Sequence, residues 1–222
     1  MEKYFVAVNY NLVFHGLTMI ENLNIDLQTS CCLLGESGSG KTTLLKSLLK
    51  NKNYDTNGTV SFYLKERLLF QNIDIQNYDE ITITFLKKFF KQPDDYKYAL
   101  WTKIKNIPDF LFCDELNLNN EDFILFLNFL KVKNIKIFYV TKNIEQTIYF
   151  NYLYVLKNNK IAIEGATESV LKEEKLMKLL GYSIPFYVNL SKQLGYYGLS
   201  HKICYNKEDL EESLWPSIWR LF

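Results

Sequence analysis

Two stretches of the sequence hold residues whose types and spacing could do chemistry. The first is Gly35-Glu36-Ser37-Gly38-Ser39-Gly40-Lys41-Thr42-Thr43, which fits the pattern G-x-x-x-x-G-K-[ST] at every fixed position. Its glycines let the backbone approach an anion with no Cβ in the way. Its N–H groups, and the N-terminus of a helix that follows, would face negative charge. Lys41 would reach the β- and γ-phosphates of a nucleotide, and Thr42 would place a hydroxyl on Mg²⁺. The second stretch is Asp109-Phe110-Leu111-Phe112-Cys113-Asp114-Glu115, an apolar run that ends in two carboxylates. In open α/β sheets, ligands bind at that end of a strand. Asp114 can hold Mg²⁺ there through its water shell. Glu115 can polarise a water aimed at a γ-phosphate. Alone, an acidic strand end would sooner cap the next helix; beside a phosphate loop the two parts are expected together.

These residues need elements to hold them. Cys31-Cys32-Leu33-Leu34 is short and apolar enough for a buried parallel strand, and Leu44 to Leu49 has the spacing of a helix that buries one face. Upstream, Tyr4 to Val8 reads as a strand, and Ile20, Leu23, Ile25 and Leu27 alternate roughly as a second. Phe14 offers a flat face that could stack on a base or simply fill a core. His15, beside Gly16, reads as a turn residue. Asn57-Gly58 signals a turn before a strand over Thr59 to Leu64. Arg67 to Phe70 is a short strand ending at Gln71. Helices are expected over 79–90 and 93–105, the second closed by Pro108. Then come a helix over Glu121 to Val132, a strand over Ile135 to Val140, a short helix over Ile144 to Phe150, and a hairpin turning at Lys157-Asn158-Asn159. A helix over Thr167 to Leu180 stops at Gly181. Amphipathic helices over 185–194 and 207–214 form the tail, which closes on Trp215 and Trp219.

The totals narrow the class. A chain of 222 residues makes one domain, with or without a small appendage. Lys and Arg number 26 against 25 Asp and Glu, so nothing points to nucleic acid as a partner. Cys31, Cys32, Cys113 and Cys204 form no C-x-x-C pair and read as buried, reduced thiols of a cytosolic protein. The first residues lack a signal peptide's apolar core. No apolar run is long enough to span a bilayer, so a membrane role would go through a partner.

The order of these parts resembles the ATP-binding subunit of an ABC transporter, over nearly the whole chain. Gly35 to Thr43 matches the family's first nucleotide motif. Asp114 and Glu115 match the second motif and its catalytic glutamate. Gln71 resembles the Q-loop glutamine, which in the family contacts Mg²⁺ and faces the membrane partner. Leu116 to Asn120 occupies the D-loop position, and Phe14 falls where the family's adenine-stacking aromatic falls. The tail is similar to that of energy-coupling-factor (ECF) ATPases, the vitamin and cobalt/nickel importers. The similarity rests on Gly165 to Leu171, Gly181-Tyr182-Ser183-Ile184-Pro185-Phe186, Leu190 to Leu194 and Asp209 to Trp215. Phe70-Gln71-Asn72-Ile73-Asp74-Ile75-Gln76 resembles their FQNPDDQ-type Q-loop.

Three departures qualify the resemblance. The LSGGQ signature is missing, with Phe90-Lys91-Gln92-Pro93-Asp94 in its place. The stretch from Gln71 to Asp114 is short for the family. Lys142 stands where the switch histidine belongs; it is a permanent cation that could contact a γ-phosphate but not copy the histidine's geometry.

The resemblance implies an α/β P-loop NTPase fold of the ABC ATPase kind, with an antiparallel β subdomain, a reduced helical subdomain over 72–108 and a small α-helical C-terminal extension. The ATP-binding domain is expected over 1–180 and a dimerisation extension over 181–222. The cofactors implied are ATP and Mg²⁺, with Thr42, Gln71 and Asp114 toward the metal and Glu115 and Lys142 in the chemistry. The partners implied are a second ATPase subunit, in an asymmetric heterodimer, and an integral membrane scaffold met near the Q-loop, at the cytoplasmic face of the membrane. Two rivals stand beside this reading: a half that binds ATP but barely hydrolyses it, and a soluble P-loop enzyme such as a small-molecule kinase.

Overall fold

A computed structural model describes residues 5–49, 54–64, 67–71, 110–115, 120–132 and 136–218. β1 (Phe5–Phe14) and β2 (Leu17–Leu27) form an antiparallel hairpin that turns at His15-Gly16, as the sequence suggests. Its apolar alternation is interrupted, and the interruptions are bulges. In β1 the buried residues are Phe5 and Ala7, then Tyr10 and Leu12, so the inward phase slips by one residue at Asn9. In β2 the same slip falls between Ile20 and Leu23, around Asn22. Asn9 and Asn22 both take φ of 50°, a left-handed backbone that asparagine tolerates better than most residues. Other asparagines satisfy the displaced amides: Asn9 N–H donates to Asn24 Oδ1 and Asn22 N–H to Asn11 Oδ1, each at 2.9 Å. The rough alternation of β2 is therefore a strand with its phase reset.

β3 (Cys31–Gly35) leads through the phosphate-loop sequence into α1 (Lys41–Leu49). β4 (Asp55–Leu64) lies along β1, and β5 (Arg67–Gln71) along β4, giving a four-stranded sheet in the order β2-β1-β4-β5. The Asn57-Gly58 turn expected from sequence is instead part of β4. Val8 pairs with Thr59 and Asn11 with Asn57, so Gly58 faces the β1 bulge. It takes φ of 96°, and a Cβ there would meet the Asn9 carbonyl oxygen at 2.4 Å. The glycine signal was genuine, but it marks a close crossing of two backbones and not a chain reversal.

β6 (Phe110–Cys113), α2 (Asn120–Val132) and β7 (Lys136–Thr141) follow. β8 (Tyr152–Lys157) and β9 (Lys160–Ala166) turn at Asn158-Asn159, both with positive φ, as a two-residue hairpin loop requires. These strands make a five-stranded sheet in the order β6-β7-β3-β8-β9, in which β3 and β6 both run parallel to β7. β3 is buried throughout and β7 nearly so, the pattern of strands covered on both faces. α2 buries Phe123, Phe126 and Leu130, and Phe123 lies 5.1 Å from the Tyr139 ring on β7.

The described residues pack as two compact units, one within Met1–Lys142 and Tyr154–Ile163, the other within Asn143–Leu153 and Glu164–Phe222. In the second, a 3-10 helix spans Ile144–Tyr149, tighter than the helix expected there, with Asn143 as its cap. The single helix expected over Thr167 to Leu180 is two, α3 (Thr167–Lys172) and α4 (Glu174–Leu179), because Glu173 leaves helical geometry with ψ of 60°. Gly181 does end α4: its N–H bonds to Lys178 O and that of Tyr182 to Met177 O, a paired cap that needs a left-handed residue. α5 (Phe186–Tyr196) and α6 (Lys207–Ile218) complete the unit. Buried Ser191 joins them to the turn between, accepting from the Cys204 N–H at 3.1 Å. All four cysteines are buried and none is in a disulfide. The helices expected over 79–90 and 93–105, the reduced helical subdomain with Pro93 and Asp94, residues 116–119 of the D-loop position, and Trp219 lie outside the described residues.

Gly58→Ala should destabilise the protein by about 2 kcal/mol or more, since it combines a disfavoured φ with a backbone clash. Urea unfolding measures this; an unshifted midpoint would mean that the β1–β4 crossing is looser than described.

Candidate functional site

The parallel register sets the site. Leu34 of β3 pairs with Thr141 of β7, and Cys113 of β6 with Tyr139, so the three strands end close together and in one direction. The residues just past those ends are the phosphate-loop sequence, Lys142, and Asp114 with Glu115.

The loop closes on its own lysine. Lys41 Nζ donates to the Glu36 carbonyl at 2.5 Å and to Ser39 Oγ at 3.2 Å, and the residue is only 8 % exposed. Gly38 and Gly40 take φ of 80° and 89°, which a residue with a side chain would resist. Gly35 is needed for space: a Cβ there would lie 2.8 Å from Ser39 Oγ and 3.0 Å from Lys41 Cδ. Burial pulls the Lys41 ammonium below the ordinary lysine value. Glu115 and Asp114 push it back up, Lys142 lowers it further and Glu36 opposes that. Lys41 is thus a partly desolvated cation poised beside two carboxylates.

Thr42 Oγ1 donates to Asp114 Oδ2 at 2.9 Å, and Glu115 N–H donates to Asp114 Oδ1 at 3.0 Å. This contact joins the two chemical stretches, although β7 separates β6 from β3 in the sheet. A hydroxyl and a carboxylate oxygen are hard donors suited to Mg²⁺. The two oxygens lie 2.9 Å apart, so one such ion could be served by both, Thr42 once its hydroxyl turns from Asp114 and Asp114 through the ion's water shell. Among the described residues no cluster of three or more His, Cys, Asp or Glu could hold a metal.

Glu115 faces Lys142, with Oε2 and Nζ 3.7 Å apart and both side chains partly exposed. Phe14, at the end of β1, is half-buried, tilted against His15 at 4.1 Å and Tyr54 at 5.3 Å. Gln71 ends β5, opposite Ser61. Glu36, Ser37 and Ser39 line the loop, and Thr43 follows Thr42 in the first turn of α1. The sequence reading missed Lys157, the last residue of β8, whose Nζ holds Glu36 Oε1 at 2.6 Å. Only the charge next to a two-asparagine turn could have hinted at it.

Residues 20–93 match the family model described as ABC transporter. No curated protein matches the chain. The solved structures that resemble it include a nucleotide-free ATP-binding cassette from an ABC transporter, at 15 % identity and a TM-score of 0.59, covering 82 % of this chain and 100 % of that one. Another is cbiO1 from Clostridium perfringens, part of the ABC transporter complex cbiONQ, at 18 % identity and a TM-score of 0.58, covering 89 % and 99 %. A third is the ADP conformation of an ATP-binding cassette, at 16 % identity and a TM-score of 0.58, covering 81 % and 98 %. The fold is that of an ABC-type ATP-binding cassette. The cassette fold accounts for both sheets, the antiparallel one carrying Phe14 and the largely buried one carrying the phosphate loop. Among the described residues no helix is long and apolar enough to cross a membrane.

Lys41→Ala should abolish measurable ATP binding, because it removes the buried cation that would meet the β- and γ-phosphates. Calorimetry on the purified protein measures it; unchanged affinity would remove the phosphate loop from the site.

Proposed function

We propose that this chain binds and hydrolyses ATP to energise a membrane importer of the ECF type, paired with a second ATPase subunit. The observation that carries the reading is the Thr42–Asp114 hydrogen bond. It holds a phosphate-loop hydroxyl and a strand-end carboxylate where one Mg²⁺ could meet both, with Lys41 on one side and Glu115 on the other. Bound there, Mg²⁺ would offset the negative charge of the phosphates. Lys41 would leave the Glu36 carbonyl for the β- and γ-phosphates. Glu115 would take a proton from the attacking water. Phe14 would stack on the adenine, and Gln71, the last residue of β5, would serve the metal and the membrane scaffold.

Support for the ECF assignment comes from the likeness to cbiO1, a component of cbiONQ, and from the tail residues after Gly181. Residues 1–180 would form the ATP-binding domain, with its reduced helical part over 72–108, and 181–222 the pairing extension. The extension exposes Phe186, Tyr196, Tyr197 and Trp215, side chains of the kind that dominate interfaces. The complex would sit at the cytoplasmic face of a membrane, with a vitamin or metal ion as cargo.

One observation favours a second reading. Glu115 is ion-paired with Lys142, whose ammonium lies against the carboxylate that would have to meet the attacking water. Together with Pro93 and Asp94 in place of the signature, that suits a half that binds ATP but turns it over slowly.

Glu115→Gln separates the two. In the hydrolytic reading the variant keeps its ATP affinity while turnover of the assembled complex falls, because an amide cannot accept the proton. Turnover equal to wild type would support the binding half.

The missing signature makes a further prediction. A homodimer would set Pro93 and Asp94 against both γ-phosphates, and proline has no N–H to donate. Loss of one such donor costs about a hundred- to a thousandfold in rate. The isolated chain should therefore be a slow ATPase that a co-purified partner accelerates. A fast isolated chain would show that the signature lies elsewhere.

A further inference from the structure

The phosphate loop is held from outside as well as within. Its first variable residue, Glu36, accepts from Lys157 Nζ at 2.6 Å, while its carbonyl accepts from Lys41 Nζ at 2.5 Å and from the Ser39 N–H at 3.2 Å. Lys157 is no loose surface lysine. It is the last residue of β8, its side chain is 27 % exposed, and the next two residues form the tight turn into β9.

That turn is itself pinned to β2. Asn159 Nδ2 donates to the Thr18 carbonyl at 2.7 Å, and the Asn159 carbonyl accepts the Glu21 N–H at 2.8 Å. Lys160 pairs with Glu21 at 2.8 Å. Between these two anchors lies Met19, whose Cε sits 3.1 Å from where a Cβ on Gly40 would be. The turn therefore grips the start of the loop directly, at Glu36, and braces its far end through β2, at Gly40.

We infer that Lys157 is a positioning residue for nucleotide binding, the point at which the β8–β9 turn sets the shape of the phosphate loop through Glu36. This rests on the phosphate loop being a nucleotide site. The physical reason is the competition that binding imposes. Lys41 now satisfies the Glu36 carbonyl, and to meet a phosphate it must let that carbonyl go. The loop then loses one internal fastener, and Glu36 is left held by the Ser39 N–H at its carbonyl and by Lys157 at its side chain. Without the hold of Lys157 the loop would have to be ordered by the ligand, at the expense of affinity.

A double-mutant cycle tests this on the full-length chain, with ATP and Mg²⁺ as the probe in calorimetry. Lys157→Met keeps the apolar stem and removes the charge; Glu36→Gln keeps the shape and removes the charge. Each should raise the Kd for ATP about three- to fivefold, the range open to a partly exposed ion pair. The double variant should be no worse than either single, since both remove one interaction. Lys157→Arg should stay within about twofold of wild type, because it retains a cation for Glu36. Four results would overturn the inference. If Glu36→Gln tightens ATP while Lys157→Met weakens it, Lys157 is a phosphate contact that Glu36 merely occupies. If the losses add, or if folded variants bind like wild type, the pair does not position the loop. If wild-type protein binds no ATP at all, the nucleotide reading fails and this inference falls with it.

Discussion

The cation of Lys41 has to be kept in a largely buried loop, and much of the structure answers to that constraint. Lys41 is tolerable at 8 % exposure because a carbonyl, a serine hydroxyl and two nearby carboxylates share its charge. The loop can offer the carbonyl only by curling back on itself, which its glycines permit. The carboxylates can be near only because β6 ends beside β7, and β7 beside β3. Parallel pairing is thus more than a way to bury Cys31 to Leu34. It is what brings residues from three separate parts of the sequence to one place.

The same geometry explains the pairing of Glu115 with Lys142. Two lysines and two carboxylates gather at the strand ends, and each ammonium lies near a carboxylate. In such a cluster no charge acts alone. A phosphate group entering it would meet Lys41 and Lys142 as attractive charges and Asp114 and Glu115 as repulsive ones. In the proposed function a divalent cation served by Thr42 and Asp114 would offset that repulsion. Lys142, an oddity by family pattern, is coherent as part of this balance.

How far the sequence could be read depended on whether a signal was local. The phosphate loop was legible because its glycines, lysine and threonine are fixed within a few positions, and Asp114-Glu115 because a short apolar run ends there. The β8–β9 turn and the Gly181 stop were legible for the same reason. The single helix over Thr167 to Leu180 was overread, since nothing in its periodicity reveals that Glu173 leaves the helical region. Asn57-Gly58 was misread as a reversal because a glycine records the need for an unusual backbone but not the partner that causes it. That partner, Asn9, lies on another strand. Lys157 was invisible for a similar reason: its partner is distant in sequence, and a lysine near a turn is ordinary.

The bulges at Asn9 and Asn22 divide β1 and β2 into segments whose inward faces are phased independently. A plain strand has no such division. In it, losing or gaining one residue turns every later side chain inside out. Here the chain already contains the compensating step. Removing Asn9 would turn the bulge into plain alternation, with Phe5, Ala7, Tyr10 and Leu12 all on the inward face. Loss of the bulge residue would thus cost the left-handed backbone at Asn9 and its bond to Asn24, and leave the inward face of the strand intact. Among related chains the hairpin could vary in residue count while the segment bearing Phe14 keeps its aim.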